Sequence, residues 1–188
     1  MSVFAGYRIT SPYGDRIHPI KKTSIFHRGI DLVIGHQKPI LSFTDGEVIF
    51  AKEGKEGSGF GNYGNVVAVR DSNGALHCYA HLHTIGVNVG NLVKRGDPIG
   101  TEGNTGQSAG SHLHYEVRLK DSSSFGFGTH TDPTEYLTKF YADESKVSEW
   151  AKDALAWAVR NKFTDDSNLK EPMTKEQIIT ILHRISQR

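Results

Sequence analysis

Short runs of β-branched and apolar residues, set between glycine-rich polar turns, fill the first 137 positions. Glu47–Ala51, Asn65–Arg70, Leu76–His83 and His112–Leu119 read as strands. Asp71-Ser-Asn-Gly74 and Arg95-Gly-Asp-Pro98 read as the turns between such strands. No long helical segment alternates with them, which predicts antiparallel sheet rather than a doubly wound α/β fold. Side chains alternate across a strand. In Ser111–Arg118 this sends Leu113, Tyr115 and Val117 to the core and lines the other face with His112, His114 and Glu116. In Leu76–His83 it sends Leu76, Cys78, Ala80 and Leu82 inward and His77, Tyr79, His81 and His83 outward.

The pattern changes after Leu137. Residues 138–146 are polar and charged and read as a linker. In Ser148–Lys162, Trp150, Ala154, Trp157, Ala158 and Asn161 fall near one helical face. Thr174-Lys-Glu-Gln177 is a capping-box pattern ahead of Ile178, Ile181, Leu182 and Ile185. The expected organisation is a domain over residues 1–137, a linker over 138–146 and a small helical hairpin over 147–188. The expected fold class is mainly β, an antiparallel β-sheet with a C-terminal α-helical hairpin.

Charge and composition narrow the function classes. Lys and Arg number 22 against 21 Asp and Glu, a formal net charge of +1 spread along the chain. Nucleic-acid binding calls for a clustered basic face, which is absent from the sequence. A single cysteine, Cys78, excludes an intramolecular disulfide framework. No apolar run approaches the roughly 20 residues needed to span a bilayer. The first residues lack a basic n-region followed by an apolar h-region, so the expectation is synthesis in the cytoplasm without a signal peptide.

Ten histidines are present, and their grouping carries the chemistry. His27-Arg-Gly-Ile-Asp31, His81-Leu-His83 and His112-Leu-His114 stand out. A catalytic zinc takes three ligands from His, Asp or Glu and keeps a fourth position for water. His27, Asp31 and one histidine of a strand pair make such a set, and the remaining imidazoles can move a proton or stabilise an oxyanion. Spacing leaves open which member of each pair would hold the ion. Gly59-Phe-Gly-Asn-Tyr-Gly64 has dinucleotide-loop spacing, but a strand rather than a helix follows it, and the motif needs the helix. It reads instead as a hairpin loop.

The runs Ile9-Thr-Ser-Pro-Tyr-Gly-Asp-Arg-Ile-His-Pro19, Phe26-His-Arg-Gly-Ile-Asp-Leu32, Tyr79-Ala-His-Leu82 and Gly103–Glu116 resemble the lysostaphin-type (β-lytic) zinc metallopeptidases, in that family's order. The resemblance covers roughly residues 6–137. It implies that His27, Asp31 and His114 hold Zn2+ and that His81 and His112 are the catalytic, non-ligand histidines. It also implies a β-sheet groove for an extended peptide and endopeptidase activity on bacterial peptidoglycan. His83 stands where the family usually has a small polar residue and reads as an exposed rim side chain. Val147 to about Arg184 resembles one S-layer-homology repeat, which raises wall targeting or self-association as alternatives to simple packing. A lytic peptidase without a signal peptide would fit a phage or prophage endolysin acting on the wall after release. The alternative classes are a peptidoglycan-binding or amidase-regulating module with a vestigial site, and a zinc carboxypeptidase-like enzyme trimming stem peptides.

Overall fold

The structure is a computed structural model that describes residues 3–17 and 23–144. The chain divides into two compact units, residues 1–138 and 139–188. Thirteen strands and one helix follow one another among the described residues. The strands are β1 (Arg8–Ser11), β2 (Gly14–Ile17), β3 (Ser24–His27), β4 (Ile30–Val33), β5 (Pro39–Leu41), β6 (Gly46–Glu53) and β7 (Asn65–Arg70). Next come β8 (Leu76–Leu82), β9 (Thr84–Ile85), β10 (Leu92–Val93), β11 (Pro98–Thr101), β12 (Leu113–Arg118) and β13 (His130–Thr131). The helix α1 covers Pro133–Glu144.

The main sheet runs β1-β4-β12-β8-β7-β6-β10, with β13 paired to the end of β12, and every pairing is antiparallel. Two smaller sheets, β5-β11-β9 and β2-β3, flank it. The fold is mainly β, as the turn-punctuated pattern predicts.

Register sets which residues share a face, and here the parity expectation needs correcting. Tyr115 pairs with Tyr79 and with Ile30, Val117 with His77, and Leu113 with Leu32. This face carries an aromatic cluster in which the Phe43 ring lies 4.8 Å from Tyr115 and 5.3 Å from Phe4. The Phe43 amide donates to the buried Tyr79 hydroxyl at 2.7 Å. His77 and Tyr79, expected to point outward, are therefore fully buried. Leu76, Cys78 and Ala80 lie on the opposite face, across from Arg118, Glu116 and His114.

That second face is covered as well. Phe60, from the glycine-rich loop, packs with Phe50, Val66, Ala68, Cys78 and Ala80 in a second apolar cluster. Each large side chain so buried contributes about 1.5–3 kcal/mol. Alternation in sequence separates two faces, but it does not say that one of them meets water. Burial also pushes the Cys78 thiol up to about 12, which leaves it inert as a nucleophile.

Residues 138–144, expected as linker, continue α1. Asp132 caps the helix, its Oδ1 accepting the Thr134 amide at 2.7 Å, and Pro133 takes the first helical position. The helical hairpin over 147–188 and its S-layer-homology likeness lie outside the described residues. Among the described residues no helix is long and apolar enough to cross a membrane.

Candidate metal centre

Three strands deliver the chemistry. His27 ends β3, Asp31 sits in β4 and His114 in β12, where it is the direct cross-strand partner of Asp31. The β3–β4 connection passes so close to β12 that only glycine fits at position 29. A Cβ there would lie 2.5 Å from the Tyr115 carbonyl oxygen and 2.9 Å from His114 Cε1.

The donor atoms converge. His114 Nδ1 lies 2.8 Å from Asp31 Oδ1 and 3.1 Å from His27 Nε2, and His27 Nε2 lies 3.1 Å from Asp31 Oδ1. Among the described residues no other trio of His, Cys, Asp or Glu comes together in this way. The outer hydrogen bonds fix which ring nitrogens face inward. His27 Nδ1 donates to the Pro12 carbonyl at 2.8 Å, and His114 Nε2 donates to Glu116 Oε1 at 3.1 Å. With both rings neutral, as metal ligands must be, His27 Nε2 and His114 Nδ1 carry lone pairs toward an acceptor-only carboxylate. Three lone-pair donors so placed suit a bound cation. Zinc with bonds of ~2.0–2.1 Å spaces tetrahedral ligands roughly 3.3 Å apart, close to the triangle found here.

The electrostatics agree. Burial works against charge on His114, yet its bonds to Asp31 and Glu116 raise it to about 9. Burial likewise opposes charge on Asp31, but His114 and His27 hold its carboxyl far below the usual range. The pocket thus stabilises positive charge at its centre. Metal-ligating histidines commonly have their second nitrogen held by a carbonyl or carboxylate in this way.

His81 and His112 stand at the same centre. Their rings lie 4.9 Å apart, His81 is 5.8 Å from His114, and His112 Nε2 is 3.6 Å from Asp31 Oδ1. His81 Nδ1 donates to the Thr105 carbonyl at 2.8 Å and His112 Nδ1 to the Gly110 carbonyl at 2.8 Å, so both turn Nε2 inward. His81, next to last in β8, has φ 62°, a left-handed conformation that an ordinary strand residue avoids. That twist takes it off the aromatic face, where simple alternation after His77 and Tyr79 would put it, and into the centre. Burial, then the neighbouring His114, lower its imidazole to about 4.

All five site residues expected from the sequence thus meet in one place, and His83 lies exposed nearby. The sequence reading assigned no role to Glu116, Arg118, Tyr63 or Arg16. Glu116 is buried and also accepts from the Tyr63 hydroxyl at 2.5 Å and from Arg118 Nε at 2.8 Å. Arg16 Nη1 approaches Asp31 Oδ2 at 3.3 Å. Strand parity offered a signal for Glu116 and Arg118, two and four residues beyond His114 on the same face.

The sequence of residues 25–126, more than half of the chain, matches the model of peptidase family M23. The chain belongs to peptidase family M23. A DD-carboxypeptidase/endopeptidase Mpg of Neisseria meningitidis serogroup B is 43% identical over 112 residues, covering 60% of this chain and 24% of that protein. The chain thus spans about a quarter of the length of that relative. Among solved structures, the catalytic domain of lysostaphin from Staphylococcus simulans superimposes with a TM-score of 0.59 at 28% identity. That match covers 70% of this chain and 92% of the other. A zinc-containing peptidase from Vibrio cholerae gives a TM-score of 0.54 at 31% identity, covering 70% of this chain and 37% of the other.

Proposed function

We propose that this M23 chain is a zinc-dependent endopeptidase that hydrolyses peptide bonds in bacterial peptidoglycan. One observation carries the reading: four imidazoles each commit one nitrogen to an outer acceptor, and His27, His112 and His114 bring the other within 3.6 Å of Asp31 Oδ1. His27 Nε2, Asp31 and His114 Nδ1 are the residues that would hold the ion. Zinc held there lowers the pKa of a bound water toward neutrality and polarises a peptide carbonyl.

The remaining work falls to the chain's own groups. His81, neutral at pH 7, presents the Nε2 lone pair that takes a proton from the attacking water. Once protonated, the same nitrogen returns the proton to the departing amine. His112 Nε2, with Nδ1–H committed to the Gly110 carbonyl, is a second acceptor at the centre, placed to orient the attacking water. Thr105 and Gly110 hold both rings in orientation through their carbonyls. The peptide bond breaks into a carboxylate and a free amine.

Peptidoglycan as substrate is supported by likeness to ShyA, a peptidoglycan DD-endopeptidase of Vibrio cholerae, and to the lysostaphin domain, an antimicrobial peptidase. The test is digestion of purified walls by wild type, Asp31→Ala and His112→Ala, with mass spectrometry of the products. Separation of cross-linked dimers by wild type alone, with zinc retained in His112→Ala and lost in Asp31→Ala, is the expected result. Release of only terminal residues would make it a carboxypeptidase, and no product at all would leave a binding or regulatory module.

A further inference from the structure

Outside the catalytic cluster, two histidines with no role in that chemistry face each other on the surface. His36, in the turn after β4, and His83, just past β8, are both exposed. Their ring centroids lie 5.7 Å apart at an interplanar angle of 63°, against 5.0 Å for His27 and His114. An imidazole that ligates through one nitrogen has its ring centre roughly 3.2 Å from the ion, given bonds of ~2.0–2.1 Å. The separation therefore fits two ligands of one ion.

His36 is anchored from behind. Its Nδ1 lies 2.9 Å from Ser111 Oγ, and Ser111 donates its one hydroxyl proton to Glu102 Oε1 at 2.9 Å. The serine oxygen can then only accept, so His36 Nδ1 carries the proton and Nε2 the lone pair. The Gln37 side-chain amide donates to that Nε2 at 3.3 Å, which agrees with the assignment. Glu102 is fully buried, and its Oε2 is held by the amides of Ile34 at 2.7 Å and Gly35 at 2.9 Å. A buried carboxylate, a serine and an imidazole thus form a chain that leaves Nε2, shared only with the Gln37 amide, as the lone pair of the ring. Such support behind the ring is what metal-ligating histidines use to fix tautomer and orientation.

We propose that His36 and His83 form a second site for a divalent transition metal at the rim of the cleft, separate from the His27–Asp31–His114 centre. Imidazole ligands select Zn2+, Cu2+ or Ni2+ over Mg2+ and Ca2+, and water completes the coordination. Ser111 precedes His112, so the ion ties the β4–β5 turn and the end of β8 to the segment that carries a catalytic histidine. The site does not depend on the catalytic reading, because none of its groups belongs to that centre.

Equilibrium dialysis against excess Zn2+ followed by elemental analysis tests this, with folding of each variant checked by circular dichroism. Wild type is expected to bind two ions per chain, and His36→Ala and His83→Ala one each, with wall lysis at one equivalent of zinc unchanged in His83→Ala. Asp31→Ala should keep the rim ion and lose the catalytic one. A wild type that saturates at one ion would overturn the proposal. So would a second ion that survives in both His36→Ala and His83→Ala. Loss of the catalytic ion alone in Asp31→Ala separates failure of this site from failure of the proposed active centre.

Discussion

Replacing Glu116 with glutamine probes whether the buried network behind His114 is part of the metal centre or only of the core. Oε1 accepts from His114 and from the Tyr63 hydroxyl, while Oε2 accepts from Arg118. Glutamine has the same shape but one acceptor oxygen. Turned one way it leaves its NH2 against Arg118 Nε, and turned the other way against His114 and Tyr63. The carboxylate is buried with Arg118, so halving the pair is expected to cost about 3 kcal/mol of stability, near the lower end for breaking a buried pair. His114 also loses the acceptor that fixes its tautomer, which predicts a fall of about 10–100-fold in zinc affinity. Denaturant unfolding of the metal-free protein reads the first effect, and competition with a zinc chelator indicator reads the second. Zinc affinity within about twofold of wild type, alongside the loss of stability, would refute the link between this network and the metal.

Further expectations rest on other parts of the fold. Gly29→Ala pushes a methyl into the Tyr115 carbonyl and His114, so it should abolish zinc binding, which metal analysis of the folded variant will show. On the aromatic face, burial lowers the His77 pKa against the pull of Asp71. Below about pH 6.5 the unfolded chain therefore takes up a proton that the native state refuses, and stability falls as pH falls. One such group gives a slope of at most about 1.4 kcal/mol per pH unit, which His77→Gln should remove between about pH 7 and pH 5 in denaturant titrations. Cys78, fully buried with its thiol pushed up to about 12, should resist iodoacetamide in the native protein and react on unfolding.

The candidate residues were legible because zinc chemistry restricts ligand types and the His-x-x-x-Asp and His-x-His runs supplied them, while the choice of His114 as ligand came from the family resemblance. Which nitrogen each imidazole presents was not legible. That choice depends on carbonyls of Pro12, Thr105 and Gly110, which any residue could supply. The arrival of His81 at the centre depends on a left-handed backbone that strand alternation cannot express. Alternation also gave no warning that His77 would be buried in a network with Asp71 and Tyr115. The sheet is covered on both sides, and a polar residue there finds a partner instead of water. The helix α1 was not anticipated: the polar composition of 138–146 read as a linker, whereas Asp132 and Pro133 cap and open a helix that runs to Glu144.

Anomalous diffraction at the zinc edge, on crystals of the zinc-loaded protein, tests the central claim most directly. The account predicts a peak about 2 Å from His27 Nε2, an Asp31 oxygen and His114 Nδ1, with solvent in the fourth position and His81 and His112 unligated. A peak coordinated by His81 or His112 in place of any of those three, or no peak among them, would contradict it.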